Sequence, residues 1–419
     1  MSGPARDAAV EIVRTLRRGG HEALLAGGCV RDELLGLSPN DYDVATDAKP
    51  EEVAARFHNV REVGKAFGVS LVRVRGVTVE VTTFRREHGY TDRRRPDTVE
   101  FCDAEQDARR RDFTINALFI DPLDENGQGG GRVIDYVGGQ EDLKKRVIRA
   151  VGDPDARLSE DDLRALRAVR FAARLDFSIE TSTGAAIRRH AGELKGISRE
   201  RIGEELRMMF ERPSRARAAG LMQELGLDAP VLDEATNTVP LAALGGMPRN
   251  CLFSASLAAW AVDRARAAVG DEWPARVGRD AEDIVRRWRG SLCLSNDERD
   301  QLRAILAGIG RLLGNWGSLS VAGQKRVAGS PWFGPVLDIL RSVKPEAARA
   351  VESRRGELEK TWGGVAPEPL VNGDDLVAAG FSPGPAFAGW LDEVYDAQLE
   401  GRVRDQAAAM EMVKKLAGR

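Results

Sequence analysis

At 419 residues, with 42% hydrophobic and 30% charged side chains, the chain carries ample apolar material but is too long for one compact core, so roughly two to four domains are expected. Its 62 Lys and Arg against 65 Asp and Glu leave a formal charge of −3, which excludes bulk electrostatic coating of nucleic acid while leaving room for local basic patches. Four scattered cysteines without a C-x-x-C pair (Cys29, Cys102, Cys251, Cys293), and four histidines without zinc spacing, argue against zinc ribbons, iron–sulfur clusters and histidine metal chemistry, and suit a reducing compartment.

The first segment, MSGPARDAAVEIVRTLRRGG, reads as a charged amphipathic helix without the apolar centre of a secretory signal. Asp7 and Glu11 count against a transit peptide. No apolar run approaches the ~18 residues of a membrane span. A cytoplasmic protein without membrane contact is expected.

Leu25 to Thr46 follows, reading LAGGCVRDELLGLSPNDYDVAT. A strand-like LLA leads into a glycine turn, a helical VRDELLG, a proline turn and then Asp-x-Asp entering an apolar stretch. On a strand, residues i and i+2 share a face, so Asp41 and Asp43 can reach one site while Tyr42 and Val44 point away. Two neighbouring hard oxygen ligands suit Mg²⁺, which binds through one or two carboxylates plus substrate phosphates. Gly27 and Gly28 let backbone N–H groups approach those phosphates, with Arg31 close behind. Alone, a Gly-Gly pair is most often a turn and an Asp-x-Asp a solvated loop. In this order they point to chemistry on a nucleoside triphosphate.

Up to about residue 150, β-branched alternating runs recur: LVRVRGVTVEVTTF from Leu71, DTVEFC from Asp97, NALFID from Asn116 and RVIDYV from Arg132. Turns and short helical pieces such as PEEVAARF separate them, predicting an α/β domain on one sheet. Between residues 85 and 112 arginines crowd together. RREHGYTDRRRPD is a polar loop holding Tyr90 and five arginines. In RRDFTIN, Arg111 and Asp112 directly precede an apolar element, and the planar fork of Arg111 suits a phosphate.

From Ser159 the pattern turns helical, with apolar residues at three-to-four spacing in SEDDLRALRAVRFAARL, TGAAIRRHAGELKG, SRERIGEELRMMF and SRARAAGLMQELG. Ser159 with Asp162 resembles a capping box, and Ser295 with Glu298 fits one fully. All seven tryptophans lie between Trp260 and Trp390, which predicts a separately packed helical body.

In the helix expected from Ser159, Asp161, Arg164, Arg167, Arg170 and Arg174 line one face, and Leu163, Leu166 and Val169 form an apolar face. Such a stripe can be a solvated surface braced by intrahelical pairs. Arginines in succession also repel unless something anionic lies against them, and a triphosphate, an RNA backbone or carboxylates of another domain would each serve. Asp161 beside Arg164 has a sharper reading. Cytosine and adenine each present an amine donor beside a ring-nitrogen acceptor, whereas guanine and uracil present a carbonyl beside a ring N–H. A carboxylate next to a guanidinium therefore matches CTP and ATP, and a mismatched base strands buried polar groups at about 1–3 kcal/mol each.

Together GGCVRD, DYDV, VEVTTFR, YTDRRRPDTVEF, RRDFTINAL, IDYVGGQEDL, EDDLRALRAVRF and ISRERI, in this order over about residues 24–210, resemble the class II tRNA nucleotidyltransferase (CCA-adding enzyme) and bacterial poly(A) polymerase family. GFSPGPAFAGWLDEVYDAQLEG near the end is a looser echo. The resemblance implies an α/β, polymerase-β-like nucleotidyltransferase head (residues 1–150) followed by all-α neck (151–212), body (213–350) and tail (351–419). It implies Mg²⁺-dependent addition of C, C and A to the tRNA 3′ end from CTP and ATP, without a nucleic-acid template.

By matching position, the resemblance implies that Asp41 and Asp43 hold Mg²⁺, and that Gly28, Arg31 and Arg111 contact the triphosphate side. Asp161 and Arg164 would read the base edge, with Arg167 and Arg170 completing the pocket. Glu80, opposite the valines of VTVEVTTF, is a candidate third carboxylate. The resemblance implies that the Tyr90–Pro96 loop helps switch specificity from C to A, favouring full CCA addition over an enzyme adding only CC; a CC-only or an A-only enzyme remains an alternative. Poly(A) polymerase is the rival within the family, but the basic C-terminal extension of its better-known bacterial members is absent from this sequence. No His-Asp pair marks an appended phosphohydrolase domain. A non-catalytic RNA-binding relative would be expected to have lost Asp41, Asp43 or the base-reading pair, and all are intact. The body and tail would bind the tRNA elbow by shape and phosphate contacts. Monomer and homodimer both stay open.

Overall fold

The computed structural model describes residues 3–62, 68–88, 98–124 and 130–418. The Tyr90–Pro96 loop lies outside the described residues. Two compact units emerge, one of Met1–Met209 with Arg217–Thr236 and the other of Phe210–Ala216 with Asn237–Arg419.

The first unit opens with helix α1 (Pro4–Arg18), which buries Ala8, Ala9, Ile12, Val13 and Leu16, a stripe at helical spacing. Next come β1 (Ala23–Ala26), α2 (Gly28–Leu34), β2 (Asp43–Thr46), α3 (Pro50–Arg56) and β3 (Val60–Glu62). The alternating run from Leu71 divides into a hairpin of β4 (Val69–Val74) and β5 (Val77–Thr83). Arg75 and Gly76 take φ of 51° and 82° at its turn, the left-handed pair whose twist matches that of the flanking strands. A separate ribbon pairs β6 (Arg85–His88) with β7 (Thr98–Phe101). Then follow α4 (Ala104–Arg109), β8 (Leu118–Asp121), β9 (Arg132–Asp135), α5 (Gly139–Lys145), β10 (Val147–Ile148), α6 (Pro154–Glu160), α7 (Arg164–Leu175), β11 (Ser178–Ile179), α8 (Thr181–His190) and α9 (Arg199–Phe210).

Among the described residues seven strands form one mixed sheet in the order β3-β4-β5-β2-β1-β8-β9. Of these only β2 and β5 run parallel, and that pairing sets Asp43 opposite Glu80. β1 is buried along its whole length. Leu24, Ala26, Ala45, Phe84 and Phe119 share one apolar cluster beneath the sheet, with the two phenylalanine rings edge to face at 6.0 Å.

The helix expected to start at Ser159 is two helices. Asp153 caps α6 by accepting from the Ala156 N–H, and Pro154 occupies its first turn, where a missing N–H costs nothing. Ser159 therefore falls in the last turn of α6 and donates back to the Asp155 carbonyl at 2.8 Å, so it is not the N-cap of a box with Asp162. The chain extends at Asp161 (φ −153°) and restarts as α7 at Arg164. Leu163, Leu166 and Val169 are buried as expected.

The second unit is helical. Its core holds Trp260, Trp273 and Trp288, each at most 1% exposed, on the long helices Phe253–Val269 and Trp273–Leu292. The neighbouring helix Asn296–Gly314 carries the capping box expected of Ser295 and Glu298. It approaches so closely that a Cβ on Gly278 would stand 3.3 Å from the Gly310 Cα. A separate small core joins Val371, Leu376, Phe381, Val394, Val403 and Val413. No helix among the described residues is long and apolar enough to cross a membrane.

Candidate active site

A cavity of about 550 Å³ opens in the first unit, walled by the ends of β1 and β2, the start of α2, the face of β5 and the arginine-bearing start of α7. Gly27 follows β1, and its φ of 75° admits only glycine comfortably. A Cβ there would also stand 2.9 Å from Nη1 of Arg111. The conformational demand thus falls on Gly27, while Gly28 supplies the backbone that begins α2.

Asp41 lies just ahead of β2 and Asp43 is its first residue, and both face the cavity with Glu80. Tyr42 turns away, donating from its hydroxyl to Glu33 at 2.6 Å. Burial, then the Glu80 and Asp41 charges, push the Asp43 carboxyl up to about 6, with Arg111 opposing. Three mutually repelling carboxylates on one wall form a hard oxygen donor set of the kind a divalent cation relieves. Among the described residues no three acidic, thiol or imidazole groups are close enough to cage a metal unaided. An ion held here would complete its shell with substrate oxygens and water, as suits a group that must share its ion with a phosphate.

Arginines form the facing walls, and Arg31, Arg111, Arg164, Arg167 and Arg174 are each tied to a carboxylate of this chain. Arg31, only 3% exposed, holds Asp32 through Nε at 2.8 Å and Asn116 through Nη1 at 2.5 Å. Arg111 grips the buried Asp107 at 2.9 Å and donates to the Asn116 carbonyl at 3.1 Å. On α7, Arg164 bonds Glu160 and the Arg157 carbonyl, Arg167 bonds Asp112 at 2.7 Å, and Arg174 reaches Asp32 at 2.8 Å. The repulsion within the stripe is thus answered by carboxylates of this chain, Glu160, Asp112, Glu205 and Asp32. Asp161 accepts from the Leu163 N–H at 3.2 Å and from Arg201 on α9 at 2.7 Å.

The structure brings Gly28, Arg31, Asp41, Asp43, Arg111, Asp161, Arg164 and Arg167 to this one cavity. Arg170 stands apart from the lining and pairs at 2.7 Å with Glu205, itself 3% exposed. Lining residues that motif spacing did not single out for the site include Asp32, Arg85, Arg110, Asn116 and Phe171. Asn116 alone left a signal, as a polar residue four after Asp112 in an apolar element, and its amide does donate to Asp112 at 3.0 Å.

Asp112 is the hinge of this arrangement. Burial would raise its carboxyl, but Arg167, Asn116 and Arg164 outweigh that and hold it at about 2. A carboxyl lowered by folding adds stability above its unfolded pKa and loses it as pH falls through the folded value. Urea titrations at about pH 4 and about pH 2 should show wild type losing on the order of 2 kcal/mol more than Asp112→Asn. Equal losses in both proteins would refute the charge assignment.

Two families match the chain: "Poly A polymerase head domain" over residues 23–149, and "Probable RNA and SrmB- binding site of polymerase A" over residues 176–238. The CCA-adding enzyme of Geobacillus thermodenitrificans is 34% identical over 415 residues, covering 96% of this chain and 95% of that one. That of Latilactobacillus sakei subsp. sakei is 35% identical over 382 residues, covering 90% and 89%. The crystal structure of the Bacillus stearothermophilus CCA-adding enzyme in complex with CTP superposes with a TM-score of 0.70 at 29% identity, covering 100% of both chains.

Mixed sheet, carboxylate wall and helical remainder together define a polymerase-β-like nucleotidyltransferase, a metal-dependent class of enzyme. At more than 30% identity along nearly its whole length, the chain belongs to the CCA-adding enzyme family.

Proposed function

We propose that this chain adds C, C and A to the 3′ end of tRNA from CTP and ATP, releasing pyrophosphate and using no nucleic-acid template. The observation that carries the reading is the meeting of Asp41 and Asp43 with Asp161 and Arg164 in one cavity. A phosphoryl-transfer centre and a group matched to C and A thus share a single nucleotide-sized space.

In this reading Asp41 and Asp43 hold Mg²⁺, with Glu80 beside them. The bound ion supplies Lewis-acid polarisation of the α-phosphate and favours the ionised 3′-hydroxyl. Arg111 and Arg31 offset charge on the triphosphate from the opposite wall. Asp161 accepts from the exocyclic amine and Arg164 donates to the ring nitrogen. Arg201 and the Leu163 N–H keep the Asp161 carboxylate in place, and Glu160 does the same for Arg164. Arg167, held by Asp112, closes the pocket.

We further divide the chain into head (1–150), neck (151–212), body (213–350) and tail (351–419), and place the protein in the cytoplasm. Support for the first boundary comes from the family match ending at residue 149, and for the tail from the separate core between Val371 and Val413. The assay gives purified protein a tRNA truncated before CCA, or an unstructured RNA, with CTP, ATP or both and Mg²⁺. Three added nucleotides on tRNA are expected. A long A tract on generic RNA would instead make the chain a poly(A) polymerase, and addition that stops at CC or requires CC would make it a partial enzyme.

A further inference from the structure

One aromatic ring lies at the centre of the arginine wall. Phe171, on α7, is 5% exposed and lines the cavity. Three guanidinium carbons stand over its ring: Arg170 at 4.4 Å, Arg31 at 5.0 Å and Arg167 at 5.5 Å from the centroid. Phe113, the residue after Asp112, supports the same ring edge-on at 6.0 Å and 77°.

The three cations come from two helices. Arg31 belongs to α2 and Arg167 and Arg170 to α7, so the ring joins the helix after the glycine turn to the helix that opens with Arg164. Each guanidinium also has a carboxylate: Asp32 for Arg31, Asp112 for Arg167 and Glu205 for Arg170. An ion pair fixes one edge of a guanidinium. A ring face under it fixes the plane as well, because the negative quadrupole attracts the cation most strongly over the face. The same quadrupole lowers the cost of gathering three like charges within a few ångströms of one point.

We propose that Phe171 is a positioning residue for the incoming nucleotide. Its π face holds Arg31 and Arg167 at the separation and tilt in which both can meet the triphosphate and sugar, and it does so by charge distribution rather than by volume. This rests on the nucleotide-binding reading of the cavity given above. Phe171 itself makes no bond to the reacting atoms.

The test separates ring electronics from packing. Site-specific incorporation of 4-fluoro-, 3,5-difluoro- and pentafluorophenylalanine at position 171 drains the ring face stepwise with little change of shape. KM and kcat for CTP and ATP are measured on truncated tRNA, with thermal unfolding of every variant. KM for both nucleotides is expected to rise stepwise, reaching about 10-fold for the pentafluoro ring, with kcat within about 3-fold of wild type and Tm lowered modestly as the drained face ceases to offset the crowding of the three cations. Phe171→Leu should behave like the pentafluoro form, and should it not fold, the fluorinated series alone decides. A KM that stays flat along the series, in a wild type that adds nucleotide normally, overturns the proposal and leaves the function standing. A wild type that adds no nucleotide overturns the function itself and the proposal with it.

Discussion

Asp41→Asn and Asp43→Asn should each leave a folded protein whose nucleotide addition to truncated tRNA is slower by on the order of 10³-fold. The amide keeps an oxygen in place but removes the charge that a divalent ion needs, so the loss should fall on catalysis and on the metal concentration giving half-activity. Folding should be spared. Asp43, half-buried, in its ionised form already opposes the exposed Glu80 and Asp41 on one wall, so a neutral side chain there relieves repulsion. Primer-extension rates, metal titrations and thermal unfolding together check this. Full activity in the double variant would remove the basis for a nucleotidyltransferase at this cavity.

The second large effect concerns choice of monomer. Asp161→Asn and Arg164→Gln each break the donor and acceptor pattern that fits C and A while leaving the carboxylate wall intact. Discrimination of CTP and ATP against UTP and GTP, read as the ratio of kcat/KM values, should fall by about 10-fold to 10²-fold, the cost of one or two mismatched buried polar groups. The metal dependence should not move. Asp161 depends in turn on Arg201, which holds it at 2.7 Å from another helix. Variants that lose metal affinity and keep their selectivity would contradict the base-edge assignment.

Much of this was legible from local pattern. The glycine turn, the short helix after it and the Asp-x-Asp entering a strand follow from spacing alone, because side-chain direction on a strand alternates whatever the strand packs against. The buried stripe of α1, the apolar face of α7 and the box at Ser295 are equally local. What spacing misread is instructive. An unbroken helix from Ser159 satisfies the apolar period, but Asp153 and Pro154 start a helix earlier and spend Ser159 inside it. Only after the interruption at Asp161 does the arginine face begin.

The partners of those arginines were not legible, since they lie far away along the chain. Asn116 meets Arg31 across 85 residues and Asp32 meets Arg174 across 142. Neither sits in a spacing that marks it as a partner of those arginines, although the spacing of Asn116 does mark it as a partner of Asp112. Phe171 reads as an ordinary apolar residue of an amphipathic helix, and its ring matters only because three cations converge on it. Glu80 could be placed on a strand face from its valine neighbours, yet its opposition to Asp43 depends on two strands pairing in parallel and in one register.

The amino-acid sequence by itself determined which chemical groups this protein carries and on which local element each stands, for those preferences act between residues a few positions apart. Tertiary structure alone decided which charges face one another, which are buried, and that Arg170 turns to Glu205 while Arg167 turns to Asp112. The physical reason is that Coulomb and π interactions act through distance in space, and folding sets that distance independently of separation along the chain.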